Sequence, residues 1–486
     1  MVDNLLSDHL SQFMALDTSF TLDELKETLW KQGIQKTDPR LQRFIASAEI
    51  HEALDPRELE KDTCLIESLG LVKRAVEGRL VVPEFEAFTK RITQLYHQVL
   101  PNTKGEVADY IPQLSRVNPE HFGISICTVD GQRFSIGDTE RHFALQSVSK
   151  TINYAIALEL NGEQKVHEHV GREPSGLAFN NLSLNKNNLP HNPMINAGAM
   201  MCCSLIKPYH SMHDRLGLVM KTWQRMMGGA HPIYNDQMFK SEKKTADRNF
   251  ALFYFMREHK AFAERFNLDK VVDFYFKCCS IEVKCSELAI AASTLANSGV
   301  CPFTSDRIFD DHTVKDVVSL MSTCGMYDFS GEYFFKVGIP TKSGVSGALM
   351  LVIPNVMGIT IWSPRLDSFG NSVRGIEFCE QLVKLYNLHT FDGIQRHATK
   401  LDPRRDGKQA MIEKAALLCS AASCNDVIEL RRLLTLGIDV NAQNCDGRTA
   451  LHLAVAEENE DALKFLLAHG ADKTLKDRWG NVAIDS

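Results

Sequence analysis

Ser147 and Lys150 stand three residues apart in the run Phe143-Ala144-Leu145-Gln146-Ser147-Val148-Ser149-Lys150-Thr151. Residues at that spacing share one face of a helix, so a hydroxyl and an amine can meet there. An unprotonated lysine can take the serine proton and leave a nucleophile fit for acyl transfer. Val148, Ile152, Ala155 and Ile156 recur at helical spacing, and Asn161-Gly162 supplies a stop. The spacing therefore predicts a helix whose first turn holds Ser147. In that turn, unpaired N–H groups and the helix dipole favour negative charge. Serine and lysine meet at this spacing by chance in many chains, and a surface helix is the plain alternative.

A serine–lysine enzyme also needs donors for the oxyanion of its tetrahedral intermediate. Lys342-Ser343-Gly344 opens a late apolar run. It resembles the K-[ST]-G strand of penicillin-recognising enzymes, which share Ser-x-x-Lys. In such folds this strand lies along the active site, and the N–H just beyond the motif faces the nucleophile. Here that residue is Val345.

The elements that must position these groups are legible in outline. Phe122 to Val129 alternates, Asp130-Gly131 turns, and Gln132 to Ile136 alternates again, which predicts a hairpin. The Ser-x-x-Lys helix follows directly. Residues 195 to about 325 read mostly helical, including Phe266 to Cys279 and Ser286 to Asn297. Tyr333 to Val337 reads as a strand. Ser343 to Ile353, a turn at Pro354-Asn355, and Val356 to Trp362 read as a second hairpin, and Asn371 to Leu385 as a helix. An early hairpin and late strands sharing one sheet, with helices inserted between them, make an α+β fold.

Both flanks differ from this centre. Residues 1–105 read as an all-helical module. Thr21-Leu22-Asp23-Glu24 is a capping box, Asp38-Pro39 and Asp55-Pro56 pair a cap residue with proline, and Pro83 opens a run from Leu80 to Leu100. The module is EF-hand-like in its helix pairs but has no D-x-[DN]-x-[DN]-G calcium loop. The catalytic region spans 106–392 and a charged linker 393–408. In 409–486, Gly437-Ile438-Asp439 and Gly470-Ala471-Asp472 lie 33 residues apart. Thr449-Ala450-Leu451-His452-Leu453-Ala454 resembles the ankyrin T-P-L-H-x-A signature, and a further copy begins at Trp479-Gly480. Such an array, cut short at Ser486, points to a protein partner or to capping of a neighbouring domain.

Composition narrows the function classes. Hydrophobic residues make up 44% and charged residues 24% of the 486, as in ordinary globular proteins. The formal net charge of −7 leaves no basic footprint for nucleic acid. The most apolar stretch, Gly347 to Trp362, is broken by Pro354-Asn355, so no membrane span is expected. The 13 cysteines show no C-x-x-C spacing, which predicts buried free thiols in a reducing compartment. The histidines of His167-Glu168-His169 do not share a helical face, and no metal is expected there. The first residues are neither a secretory signal nor an Arg-rich transit peptide, so the expectation is a cytoplasmic chain or a form without its targeting segment.

Long runs then identify a family resemblance. They are Val107-Ala108-Asp109-Tyr110-Ile111-Pro112-Gln113-Leu114, Glu173-Pro174-Ser175-Gly176-Leu177, Pro190-His191-Asn192-Pro193-Met194-Ile195-Asn196-Ala197-Gly198-Ala199, Asp247-Arg248-Asn249-Phe250-Ala251 and Cys324-Gly325-Met326-Tyr327-Asp328-Phe329-Ser330-Gly331. With them, the chain resembles the glutaminases of the animal phosphate-activated type, from the helical module through the ankyrin tail. The resemblance implies a serine β-lactamase/penicillin-binding-like catalytic domain that hydrolyses L-glutamine to L-glutamate and ammonia. It implies Ser147 as nucleophile, Lys150 as its base, and the N–H groups of Ser147 and Val345 as oxyanion donors. Tyr327 and Tyr110 become proton-relay or substrate-contacting phenols, and Gln146, Asn196, Glu242, Asn249 and Tyr275 substrate-binding positions. It further implies no cofactor, inorganic phosphate as activator, dimers joining into a homotetramer or longer assembly, and a mitochondrial location.

The residue types suit a zwitterionic head group, since Glu242 can pair an ammonium while Asn and Tyr donors hold a carboxylate. Plainer readings exist for three of them: Asn196 as a helix cap, Glu242 beside Lys243 and Lys244 as a solvated charge run, and Tyr275 as core. Two positions depart from the kidney-type pattern, Phe255 in place of tyrosine and Ser183 in place of an aromatic. In the family they lie near the contact between dimers, so phosphate response is what they bear on. A penicillin-type acylase would also show an S-D-N motif and an export signal. A pseudoenzyme or ankyrin scaffold would not need Ser147, Lys150, Tyr327 and Lys342-Ser343-Gly344 together.

Overall fold

The computed structural model describes residues 22–42, 63–177, 180–262, 267–392, 400–405 and 407–484. It divides into two compact units, Met1–Val383 and Lys384–Ser486. Helices α1 (Leu22–Lys31), α2 (Thr63–Val76) and α3 (Phe85–Val99) open the first unit. The expected capping box at Thr21 and the Asp55-Pro56 start fall outside the described residues. Asp38 does cap its turn, with its carboxylate accepting from the Arg40 backbone N–H at 3.0 Å. The α2–α3 link and the residues after α1 then grip the first hairpin. Arg40 donates to the Asp130 carbonyl at 2.8 Å, and the Gln132 amide donates to the Gln32 and Val82 carbonyls.

That hairpin is β1 (Gly123–Thr128) and β2 (Arg133–Gly137), paired Ile124 to Ile136 as the alternation requires. After β3 (His142–Ala144) come α4 (Ser149–Asn161), α5 (Asn196–Leu205), α6 (Met212–Met226), β4 (Ile233–Tyr234), α7 (Asp236–Lys244), α8 (Asp247–Glu258) and α9 (Leu268–Cys279). Next are β5 (Ile281–Lys284), α10 (Cys285–Ala296), α11 (Asp311–Cys324), α12 (Ser330–Lys336), β6 (Thr341–Gly344), β7 (Ala348–Ile353), β8 (Met357–Trp362) and α13 (Val373–Leu385). The main sheet is antiparallel, in the order β2-β1-β8-β7-β6, which joins the early hairpin to the late strands as expected.

β1, β7 and β8 are buried along their whole length, because helices cover the sheet. At Gly358 the helix α10 comes so close that a Cβ would sit 2.2 Å from the Ser293 nitrogen. Only glycine lets a helix rest on the strand backbone there.

Two sequence expectations need correction. Tyr333 to Val337 is not a strand but the end of α12 and the residue after it. The helix buries Ser330 and Tyr333, three residues apart, and leaves Phe335 exposed, whereas the run of adjacent aromatics imitates a strand. The strand expected from Ser343 to Ile353 is two strands. Val345-Ser346-Gly347 turns between them, with the Gly347 N–H donating to the Gly344 carbonyl at 2.9 Å. The middle of the chain is mostly helical, as expected, with the short β5 and β4 joining β3 in a second small sheet that the sequence reading did not include. Strands of two to four residues carry too little periodicity to be read.

The second unit contains α14 (Gly407–Ser423), α15 (Val427–Thr435), α16 (Ala450–Ala456) and α17 (Glu460–Ala468). Leu418, Leu430, Leu433, Leu451 and Leu466 meet in its core. The repeat seen in the sequence is physical, since Gln443 donates to the Lys476 carbonyl 33 residues away at 3.0 Å.

Candidate active site

Ser147 lies in a 3₁₀ turn, Gln146–Val148, and the α-helix proper starts at Ser149. The small sheet sets this turn, because the Leu145 N–H donates to the Ile281 carbonyl at 2.8 Å. Gln146 takes φ +46°, a left-handed conformation unusual for a side-chain-bearing residue. Such backbone is held by its surroundings and is common at functional sites. Here its amide donates to Glu242 at 2.8 Å, and its side-chain oxygen accepts from Tyr110 at 3.0 Å.

The two motif residues meet. Lys150 Nζ is 2.6 Å from Ser147 Oγ, and both side chains are buried. Lys150 also donates to Asn196 Oδ1 at 2.9 Å. Asn196 is the first residue of α5, and Ile195 takes the cap position, so the helix-cap reading of Asn196 fails. Its side chain instead bridges the site, accepting from the Tyr275 hydroxyl at 3.1 Å and donating to Asn249 at 2.9 Å. Burial lowers the Lys150 amine to about 8, against the opposing pull of Cys279 and Glu242. An amine half neutral near pH 8, and more so above it, can take the Ser147 proton.

Glu242 is buried, unlike its exposed neighbours Lys243 and Lys244, so it is no solvated charge run. It also accepts from Tyr110 at 2.9 Å. Burial pushes its carboxyl up, while the Gln146 and Tyr110 bonds and the Lys150 charge pull it down. Tyr110 is 44% exposed as a residue, but its hydroxyl turns inward to Gln146 and Glu242, where burial and Glu242 raise it. Tyr275 is more than a core aromatic, because its hydroxyl is spent on Asn196.

The rest of the nucleophile cluster comes from Tyr327 and the late strands. Tyr327, at φ +55°, donates to the Ser343 carbonyl at 3.1 Å. Burial pushes its phenol up, while Ser147 and the Val345 N–H, both within hydrogen-bond reach, pull it down. That places Val345 and Ser147 on one phenol. Of the two glycines flanking Tyr327, Gly325 is the one that matters, since a Cβ there would lie 1.8 Å from the Thr341 carbonyl. A Cβ at Gly331 would meet nothing.

All ten sequence-derived positions thus fall on one network, with a division of labour. Ser147, Lys150, Tyr327 and Val345 cluster at the nucleophile. Tyr110, Gln146 and Glu242 form a second wall, and Asn196, Asn249 and Tyr275 a third. Two residues escaped sequence reasoning. Cys279, read only as a buried thiol, lies 3.9 Å from Ser149 Oγ beside Lys150. Lys342, read only as a strand marker, is fully buried behind Tyr327. Its signal was present in the Lys-Ser-Gly motif itself. His167, of the histidine pair, is engaged by the Tyr154 hydroxyl and the Val170 carbonyl at 2.9 Å each.

Comparison with known proteins places this site. The glutaminase family model matches residues 105–391, an ankyrin-repeat model 376–477, and an EF-hand domain model 5–83. The mitochondrial liver isoform of glutaminase from Rattus norvegicus is 42% identical over 461 residues, covering 93% of this chain and 76% of that protein. A glutaminase of Trichormus variabilis is 44% identical over 306 residues, 63% of this chain and 90% of its own. Among solved structures, a probable glutaminase from Bacillus subtilis complexed with 6-diazo-5-oxo-L-norleucine superposes with a TM-score of 0.56 at 30% identity, covering 62% of this chain and 96% of that one. The match runs through every motif that builds the serine–lysine site: the chain belongs to the glutaminase family.

Proposed function

We propose that this glutaminase, which hydrolyses L-glutamine to L-glutamate and ammonia, works through an acyl-serine formed on Ser147. The 2.6 Å contact between Lys150 Nζ and Ser147 Oγ carries the reading. Lys150 takes the hydroxyl proton as Oγ bonds to the carboxamide carbon. The N–H groups of Ser147 and Val345 hold the oxyanion. The carbon–nitrogen bond then breaks, and the leaving nitrogen gains a proton to depart as ammonia. Water opens the ester, releasing glutamate and returning the proton to Ser147. Tyr327 is the phenol in reach of Ser147, so it is assigned the proton relay. Tyr110 belongs with Gln146 and Glu242, where the substrate ammonium is assigned, and Asn196, Asn249 and Tyr275 are assigned its carboxylate.

No cofactor enters this scheme. Inorganic phosphate as activator, assembly into homotetramers, and residence in mitochondria are proposed with it, the last supported by the name of the rat relative. The ankyrin unit is assigned a protein partner. The sequence divisions 1–105, 106–392, 393–408 and 409–486 are retained as the proposed domains. Ammonia release from glutamine by the purified chain, with and without phosphate, tests the chemistry, and its absence in both would end the proposal. Mass measurement under the same two conditions tests the assembly.

A further inference from the structure

We propose that the free edge of β3 is a docking site for an extended segment of a partner protein, which joins the small sheet as a further strand. In an antiparallel pair, successive residues alternate between exchanging backbone bonds with the partner strand and pointing them away. β3 and β5 pair His142 with Lys284, Phe143 with Val283 and Ala144 with Glu282. The Leu145 N–H donates to the Ile281 carbonyl, which puts Leu145 and Phe143 at the bonded positions. The N–H and C=O of His142 and Ala144 therefore point away from β5. They point to an open edge, because β3 ends the sheet order β3-β5-β4. Among the described residues these four groups have no hydrogen-bond partner. His142 is exposed to water, but Ala144 is only 3% exposed. Buried backbone groups are nearly always paired, so the orphaned pair at Ala144 points to a ligand.

The edge opens into a cavity. Residues Arg141 to Ala144 line it, with others from the stretch Gln113 to Asn118 and with Ser346 and Trp362, around a volume of about 720 Å³. Ligand clefts span roughly 300–1,000 Å³. Three buried side-chain atoms on its walls also lack partners, namely Gln113 Oε1, His121 Nδ1 and Ser346 Oγ. Ser346 is only 6% exposed. Leu114, Phe143, Met238 and Trp362 add apolar surface. Backbone donors and acceptors left open at alternate residues of a strand are the complement of an extended chain, and side-chain pockets beside them give it specificity.

The charges around the cavity set the chemistry of that chain. Arg141 is held by Asp138 at 3.4 Å, and Glu140 by Lys284 at 3.1 Å. Burial lowers His121, which favours its neutral form. Arg116 and Glu282 are left without an ion pair among the described residues, since Glu282 accepts only from the neutral Asn235 amide, at 2.6 Å. A small oxyanion would answer Arg116 and be repelled by Glu282. A segment with one acidic and one basic side chain answers both. The cavity is separate from the nucleophile, for none of the ten site positions lines it, and the inference does not depend on the mechanism above.

The test titrates the full chain into two fluorescein-labelled peptides, Lys-Val-Thr-Val-Glu and Glu-Val-Thr-Val-Lys, one for each strand direction, and reads anisotropy. One of the two should bind. Arg116→Glu, an exposed substitution outside the catalytic machinery, should weaken that binding about tenfold or more and leave turnover unchanged. N-methylation of the two valines, or of the central threonine, removes backbone donors from one edge of the peptide at a time. One pattern should abolish binding, and the other should leave it within about twofold. Binding of neither peptide, equal loss from both methylation patterns, or unchanged binding to Arg116→Glu overturns the proposal. A molecular mass that falls when the peptide is added would identify the occupant as a second copy of the chain, and overturns the partner protein.

Discussion

Two pairs in this chain share one arrangement, a hydroxyl residue followed three positions later by a basic one at the start of a helix. Thr449 and His452 open α16 of the ankyrin unit. There His452 Nδ1 receives the Thr449 N–H at 3.2 Å and meets its hydroxyl at 2.9 Å, while Nε2 reaches the Asn481 carbonyl at 3.3 Å. The polar atoms of that pair face each other or the backbone of the next repeat, so it caps and staples. Ser147 and Lys150 open α4 and cap nothing. Ser147 Oγ faces an amine displaced from its ordinary protonation and a phenol held by backbone, and Lys150 also donates to Asn196. Identical spacing thus serves structure where the groups satisfy one another, and chemistry where burial leaves them reactive.

Mutation should separate the pairs most sharply at the nucleophile. Ser147→Ala, or Lys150→Met, should lower ammonia release by about 10⁴-fold or more with folding intact by circular dichroism. Near-normal turnover in either would make the first pair as structural as the second. Because the Lys150 amine is lowered to about 8, it is neutral above that value and charged below it. The unmutated chain should therefore lose kcat/KM as the pH falls below about 8, up to tenfold per unit. A flat profile between pH 6 and 9 would remove Lys150 as the base. Tyr327→Phe should cost about 10²–10⁴-fold in kcat, as loss of a proton relay does. Little change there would pass the relay to Tyr110.

Glu242→Gln sharpens the boundary of the reactive region. It keeps the shape of the Gln146–Tyr110 wall but removes the charge assigned to the substrate ammonium. A charge-assisted hydrogen bond contributes about 1.5–3 kcal/mol, so kcat/KM should fall on the order of 10–100-fold, mostly through KM. A fall confined to kcat would place Glu242 with the nucleophile instead.

Much of this was legible in the sequence, and the exceptions share a cause. The β1–β2 hairpin, the late β7–β8 hairpin and the ankyrin repeat announce themselves through period and turn residues that act over a few positions. The small sheet that fixes the turn before Ser147 does not, because the Ile281 carbonyl that holds Leu145 is set by tertiary placement alone. The aromatic run at Tyr333 misled because composition imitated a strand, while burial followed a helix. In the site, residue identities came from motifs and family likeness, but their grouping did not. That Tyr327 groups with Ser147, and Tyr110 with Gln146 and Glu242, is set by tertiary placement that no local period announces. Lys342 was visible as a letter in a motif, yet its burial behind Tyr327 was not.

The smallest expected effect tests the comparison from its structural side. Thr449→Ala removes the hydroxyl that meets His452 and should destabilise the ankyrin unit by about 0.5–2 kcal/mol, the usual range for a lost helix cap. The readout is the thermal transition of the full chain, in which the unit Lys384–Ser486 has its own hydrophobic core. Turnover per folded molecule, measured below that transition, should not change, since Thr449 belongs to a different compact unit from Ser147. A turnover change without a thermal shift would mean that this pair too does more than cap. The contrast with Ser147, where turnover collapses and stability holds, is what two uses of one spacing demand.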